Sequence, residues 1–126
     1  MLDHVGIYVT DFAKAKKFYD LALAPLGITK IKEVTAAETG HYDGAGYGNE
    51  RPFFWIGAAT TAAPTHVALC AKDRATVDAF YKAALAGGGR DNGAPGLRAY
   101  YHPNYYGAFV LDPDGHNIEA VCHEPA

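Results

Sequence analysis

The stretch Asp112-Pro113-Asp114-Gly115-His116-Asn117-Ile118-Glu119-Ala120-Val121 decides how this chain folds. It reads as a tight turn feeding a last β-strand. Pro113 presets φ for the first corner of a type I turn, and Gly115 can take the left-handed conformation that follows. Ala108–Leu111 is the incoming strand, so the whole is a hairpin. Side chains alternate along a strand, so Asn117, Glu119 and Val121 share one face while Ile118 and Ala120 take the other. A carboxylate in so apolar a strand is costly to bury unless something pairs with it. Its partner has to come from elsewhere in the chain.

The opening residues supply a candidate. Leu2 to Val9 reads as a strand with His4, Gly6 and Tyr8 on one face. Asp11 then caps a helix over about 12–24, whose apolar stripe is Phe12, Ala15, Phe18, Tyr19, Ala22 and Leu23. Pro25 and Gly27 stop it. Strands are expected over Ile28–Ala36, around Gly40–Tyr47 and over Pro52–Ala58, and then, past a small-residue linker, the pattern starts again. At an offset of 62 residues (His4 to His66), Asp11 falls on Asp73, Phe18-Tyr19 on Phe80-Tyr81, Ala22-Leu23-Ala24 on Ala84-Leu85-Ala86 and Gly27 on Gly89. Cap, stripe and stop recurring at one register indicate an internal duplication. The fold class is therefore α+β: two βαβββ modules, 1–59 and 64–126, pairing into a curved mixed sheet with helices outside and a cleft inside. A strand around Leu97–Tyr101 and a loop lead into the last hairpin.

The duplication sets His4 and His66 at equivalent positions, and Glu119 lies on the last strand of the second module. Two imidazoles and a carboxylate converging on a cleft are a ligand set for a divalent metal, Fe2+, Zn2+, Mn2+ or Ni2+ among them. By spacing alone, the same residues serve equally as two satisfied strand histidines and a solvent-facing acid.

The 126 residues are 49% hydrophobic and 20% charged, which makes the chain globular and large enough for a core. A formal net charge of −3 offers no basic footprint for nucleic acid or for a membrane surface. The N-terminus carries an acid at once and no apolar run, so a signal peptide is not expected, and no segment approaches the roughly 18 apolar residues of a membrane span. Cys70 and Cys122 are expected as reduced thiols of a cytoplasmic protein.

On these residues the chain resembles the vicinal oxygen chelate superfamily, which includes glyoxalase I, bleomycin-resistance proteins and extradiol dioxygenases. The resemblance rests on Leu2–Val9, on Phe18-Tyr19, on His66 and above all on Asp112–Glu119. It implies paired βαβββ modules around a divalent metal that chelates neighbouring oxygens of a small organic substrate. Carried over position by position, the metal ligands are His4, His66 and Glu119, with Glu119 also catalytic. The implied protein is a small metal-dependent dioxygenase or lyase, working as a homodimer. The alternative is a non-catalytic small-molecule or drug binder on the same fold. One departure stands out: glyoxalase I enzymes carry a fourth ligand, a Glu, on the last strand of module one, and Pro52–Gly57 has no carboxylate.

A Tyr-rich stretch before the hairpin, with Tyr100, Tyr101, His102, Tyr105 and Tyr106, is expected to wall the pocket, and Tyr106 to supply a proton donor near the metal. Tyr8, Trp55 and Cys70 are expected to line the substrate cleft. Arg98 is a candidate for holding an anionic substrate group.

Overall fold

A computed structural model describes all residues 1–126. Each half of the chain is a βαβββ module. The first holds β1 (Val5–Val9), α1 (Phe12–Leu23), β2 (Thr29–Val34), a short α2 (Ala36–Thr39), β3 (Gly44–Gly48) and β4 (Pro52–Ala58). The second holds β5 (His66–Cys70), α3 (Arg74–Ala86), β6 (Arg90–Leu97), β7 (Tyr106–Leu111) and β8 (Asn117–Cys122). The sheets are ordered β1-β4-β3-β2 and β5-β8-β7-β6. In each, the first strand lies parallel to the last and the other pairs are antiparallel.

The helices form where the repeat places them. Asp11 caps α1 by accepting from the Lys14 N–H, and Asp73 caps α3 by accepting from the Thr76 N–H at 2.8 Å. The apolar stripes turn inward: Phe18 and Phe80, related by the repeat, are both fully buried. Ala15, Ala22 and Ala84 keep the two helices close, and α1 packs on α3 as well as on the sheets. Gly89 closes the same region. A Cβ there would come within 2.4 Å of Val110 and 2.6 Å of Phe18. No helix is long and apolar enough to cross a membrane.

Three elements differ from the expectation. The second strand stops at Val34 because Thr35 and Glu38 make a reciprocal capping box that opens α2, so the β3 strand begins only at Gly44. The strand expected around Leu97–Tyr101 lies earlier, at Arg90–Leu97. Arg98 instead starts the connection to β7, with its N–H donating to the Tyr105 carbonyl at 2.7 Å. Third, the modules do not share one hydrogen-bonded sheet: the ladder ends at β1 on one side and β5 on the other.

The hairpin turn explains that break. His116 is buried at the seam between β1 and β5. Its Nε2–H donates to the Tyr8 carbonyl at 2.7 Å, and its Nδ1 accepts from the Thr65 N–H at 3.0 Å. An imidazole thus takes the backbone groups that a strand-to-strand bond would use. Asp112 anchors the turn, accepting from the N–H groups of Asp114 and His116 and from the Tyr19 hydroxyl of α1 at 2.6 Å. Asp114 accepts from the Thr10 N–H and hydroxyl. Gly115 sits at φ 86° as the turn requires. One five-residue turn therefore ties the last hairpin to β1, α1 and the start of β5.

Burial, reinforced by Asp112, pushes the Tyr19 hydroxyl well above its ordinary pKa. The native state then keeps a proton that the unfolded chain gives up near pH 10. Stability from this group is complete below pH 10 and declines as pH rises above it. Tyr19→Phe is expected to cost about 1.5–3 kcal/mol at pH 7, because it removes a bond to a buried charged acceptor. It should also flatten, without abolishing, the loss of stability above pH 10, since burial raises Tyr47 too. Urea unfolding at pH 7 and pH 10.5 measures both.

Candidate functional site

Glu119 stands in the middle of β8, opposite Ala68 on β5 and Phe109 on β7. Its neighbours Ile118 and Ala120 turn into the core with α3, so Glu119 points to the other face of the sheet. It is nevertheless only 1% exposed. A Cβ on Gly107 would press on the Tyr105 ring at 3.2 Å, so this glycine leaves room for the tyrosine beside Glu119. Both carboxylate oxygens are engaged: His66 Nε2 lies 2.8 Å from Oε1, and the Tyr105 hydroxyl donates to Oε2. Burial, followed by the hydrogen bond to Glu119 and that carboxylate's charge, pushes the Tyr105 phenol up, so it keeps its proton and acts as a donor.

His66 opens β5 on the same face, with its side chain 53% exposed and its ring beside Phe109. The spacing of this pair suits a metal. Two donors at about 2.1 Å from one ion and at right angles to each other stand about 3.0 Å apart. The observed 2.8 Å needs only a small widening.

His4 shows the other mark of a ligand. Its Nδ1–H donates to Asp3 Oδ2 at 2.7 Å, which leaves Nε2 as the lone-pair nitrogen. Asp3 is in turn paired with Arg51. The His4 hydrogen bond, then Arg51, hold the Asp3 carboxyl below its ordinary pKa. Yet His4 does not join the other two. Tyr8 and Thr65 meet on the His116 ring, which brings His66 near the far end of β1. His4 lies four residues back, roughly 13 Å along an extended strand. No group of three metal-binding side chains forms in the single chain. His4, His66 and Cys70 do border one open cleft of about 610 Å³ between the edges of the two sheets.

The tyrosine expectation shifts by one residue. Tyr106 begins β7 and sends its hydroxyl to Asp78 on α3 at 2.7 Å, away from Glu119. Tyr105, the residue before it, takes the place beside the carboxylate. The period-two alternation around Tyr106 held that signal, because Tyr106 shares a face with Ala108 and Val110, which are core residues. Tyr101 stacks on the edge of Tyr105, and His102 meets His123, whose ring also meets Tyr105. Tyr8 and Trp55 lie on the His4 face of module one, in adjacent rows of the sheet. Arg98 is not available to an anion. Its guanidinium donates to the carbonyls of Ala94, Gly96 and Gly107 and covers Phe109. Both cysteines are free thiols. Asp3 and Phe109 were not singled out in the sequence; only their positions, beside a candidate ligand and in register with Glu119, point to them.

A family model described as Glyoxalase/Bleomycin resistance protein/Dioxygenase superfamily matches residues 1–120. No protein of curated function matches the chain. Among solved structures, a glyoxalase/bleomycin resistance protein from Albidiferax ferrireducens T118 is 28% identical, with a TM-score of 0.79 over 99% of both chains. The fosfomycin resistance protein FosX from Listeria monocytogenes, complexed with Mn(II) and sulfate, is 15% identical with a TM-score of 0.68, over 97% of this chain and 91% of its own. A glyoxalase I mutant (V278E) from Zea mays is 19% identical with a TM-score of 0.71, over 95% of this chain and 43% of its own. With the family match reaching from β1 into β8, the chain belongs to the Glyoxalase/Bleomycin resistance protein/Dioxygenase superfamily.

Proposed function

We propose that the protein is a metal-dependent enzyme of the vicinal oxygen chelate type, acting on a small organic substrate. The observation that carries this reading is the buried Glu119 carboxylate facing His66 Nε2 across 2.8 Å on the inner sheet face. The third donor comes from a second copy: His66 and Glu119 of one chain hold the ion together with His4 of the partner subunit. This accounts for a His4 ring oriented by Asp3 but remote from the pair in its own chain. Bound there, a divalent ion supplies Lewis-acid stabilisation to adjacent oxygens of the substrate. A two-nitrogen, one-oxygen set suits Fe2+, Zn2+, Mn2+ and Ni2+. Mn(II) occupies the structure of FosX, which shares this fold. β4 offers no fourth carboxylate, so coordination positions stay open for a bidentate substrate.

Tyr105 then has two tasks. Its hydroxyl fixes Glu119 through Oε2 and leaves Oε1 for the ion. It also places a neutral phenol beside the substrate position as the proton donor, the role the sequence suggested for Tyr106. One observation favours a second reading, a metal-free binder: His66 and Tyr105 already satisfy both oxygens of Glu119.

Mixing two variants tests the shared site. His4→Ala and Glu119→Ala should each bind no stoichiometric Co2+ on their own. Unfolded and refolded together, they should form heterodimers with one intact site of two, and part of the Co2+ absorbance should return. If the mixture stays silent while the wild type binds, the three ligands do not come from two chains. Wild-type protein that binds no divalent ion favours the binder.

The two tyrosines should separate cleanly. Tyr105→Phe removes a bond that orients a ligand and is expected to weaken metal affinity about 10–100-fold. Tyr106→Phe, whose hydroxyl sits on Asp78, should leave it unchanged. Competition titrations against a chelator give both values, and the reverse pattern would return the role to Tyr106.

A further inference from the structure

The His4 face of module one alternates rings and glycines. Across the sheet, Tyr8 lies in register with Gly57 and Gly44, and Gly6 with Trp55 and Gly46. Three of these glycines have an evident reason. A Cβ on Gly46 would come within 2.8 Å of the Trp55 indole, which lies over it. A Cβ on Gly44 or Gly57 would come within 3.0–3.1 Å of the Tyr42 ring. Those positions are bare because the protein's own rings cover them.

Gly6 has no such reason. A Cβ there would find only Trp55 Cβ and the Trp55 carbonyl, each at 3.9 Å, and Gly6 is not among the glycines with positive φ. Neither packing nor backbone conformation calls for glycine, yet a glycine inside a strand weakens it. What the glycine leaves is bare, exposed backbone that a group outside the chain can approach closely. The groups around the space suggest what approaches. Tyr8, 63% exposed, stands on one side, His4 on the other, and the indole is swung over Gly46 so that the Gly6 side stays open. His4 and Tyr8 are roughly 13 Å apart along the strand, enough for one flat ring between them. Bare peptide below and aromatic groups beside it favour a planar π-system over a bulky saturated one.

We propose that Gly6 is a specificity-determining residue: it is the floor of a subsite that receives a flat, unsaturated ring of the substrate, between His4 and Tyr8 and beside Trp55. The assignment rests on reading this face as the substrate cleft. It does not need the metal to be bound, because Gly6 contributes no donor.

Trp55 is the only tryptophan, so its emission, excited at 295 nm, reports the subsite directly. In chelator-treated protein, benzyl alcohol should change that emission saturably, and cyclohexylmethanol should bind about tenfold more weakly, a difference of about 1.4 kcal/mol. Gly6→Val should lose the response by filling the space, and Gly6→Ala should weaken it, with a melting temperature no lower than that of the wild type and Co2+ binding unchanged. Equal response to both alcohols, no response to either, or an unaltered response in Gly6→Val overturns the proposal. So does a changed oligomeric state in Gly6→Val, which would assign the position to a contact between chains. Co2+ binding without ring binding removes the subsite and leaves the metal reading standing; ring binding without Co2+ does the opposite.

Discussion

The His116 ring carries a constraint on which the arrangement of the two modules depends. Each of its nitrogens is committed to a backbone group of a different segment: Nε2–H to the carbonyl of Tyr8, Nδ1 to the N–H of Thr65. Only the neutral imidazole with its proton on Nε2 makes both bonds, since a protonated ring has no acceptor. At the Tyr8–Thr65 end of the cleft a side chain makes the link between β1 and the start of β5 that a continuous sheet would make with a ladder. Asp112 and Asp114 add bonds to α1 and to Thr10, so the same turn sets both how the modules meet and where β8 begins. Glu119 follows three residues after His116, and its placement inherits that accuracy.

Much of this was legible in the sequence. Helix caps, apolar stripes and the hairpin obey local rules, and the offset from His4 to His66 exposes the duplication without any tertiary information. The alternation along β8 correctly put Glu119 opposite the core. What escaped were properties that depend on partners far away in the chain. The turn reads locally as Pro-Asp-Gly geometry, yet its polar side chains are set by Tyr8, Thr10, Tyr19 and Thr65. Tyr105 and Tyr106 differ only in which side of the strand each takes, and the strand read as Ala108–Leu111 stopped short of both, so its alternation was not carried back to them. α2 was missed although Thr35 and Glu38 have the spacing of a capping box, because the surrounding β-branched residues read as strand.

The site shows why repeat symmetry misleads when it is applied within one chain. His4 and His66 are equivalent in sequence but not in surroundings. His66 faces a carboxylate on its own sheet, while the corresponding strand of module one offers His4 only aromatic groups and glycine. His4 is oriented instead by its neighbour Asp3. Duplication supplied two similar frames, and divergence gave one of them a buried acid and the other a bare, ring-lined surface.

The turn also imposes an order on how the molecule comes into being. Thr10 and Asp114 are 104 residues apart in the chain, and Tyr8 and His116 are 108 apart. During synthesis the first module emerges before the second, and the groups that fasten β1 and α1 follow 93 to 108 residues behind their partners. Until then the edge of β1 is unfastened, and contacts this distant in sequence close slowly. A nascent chain stalled before residue 112 would carry a complete first module with an open strand edge, the kind of surface on which unfinished chains pair wrongly.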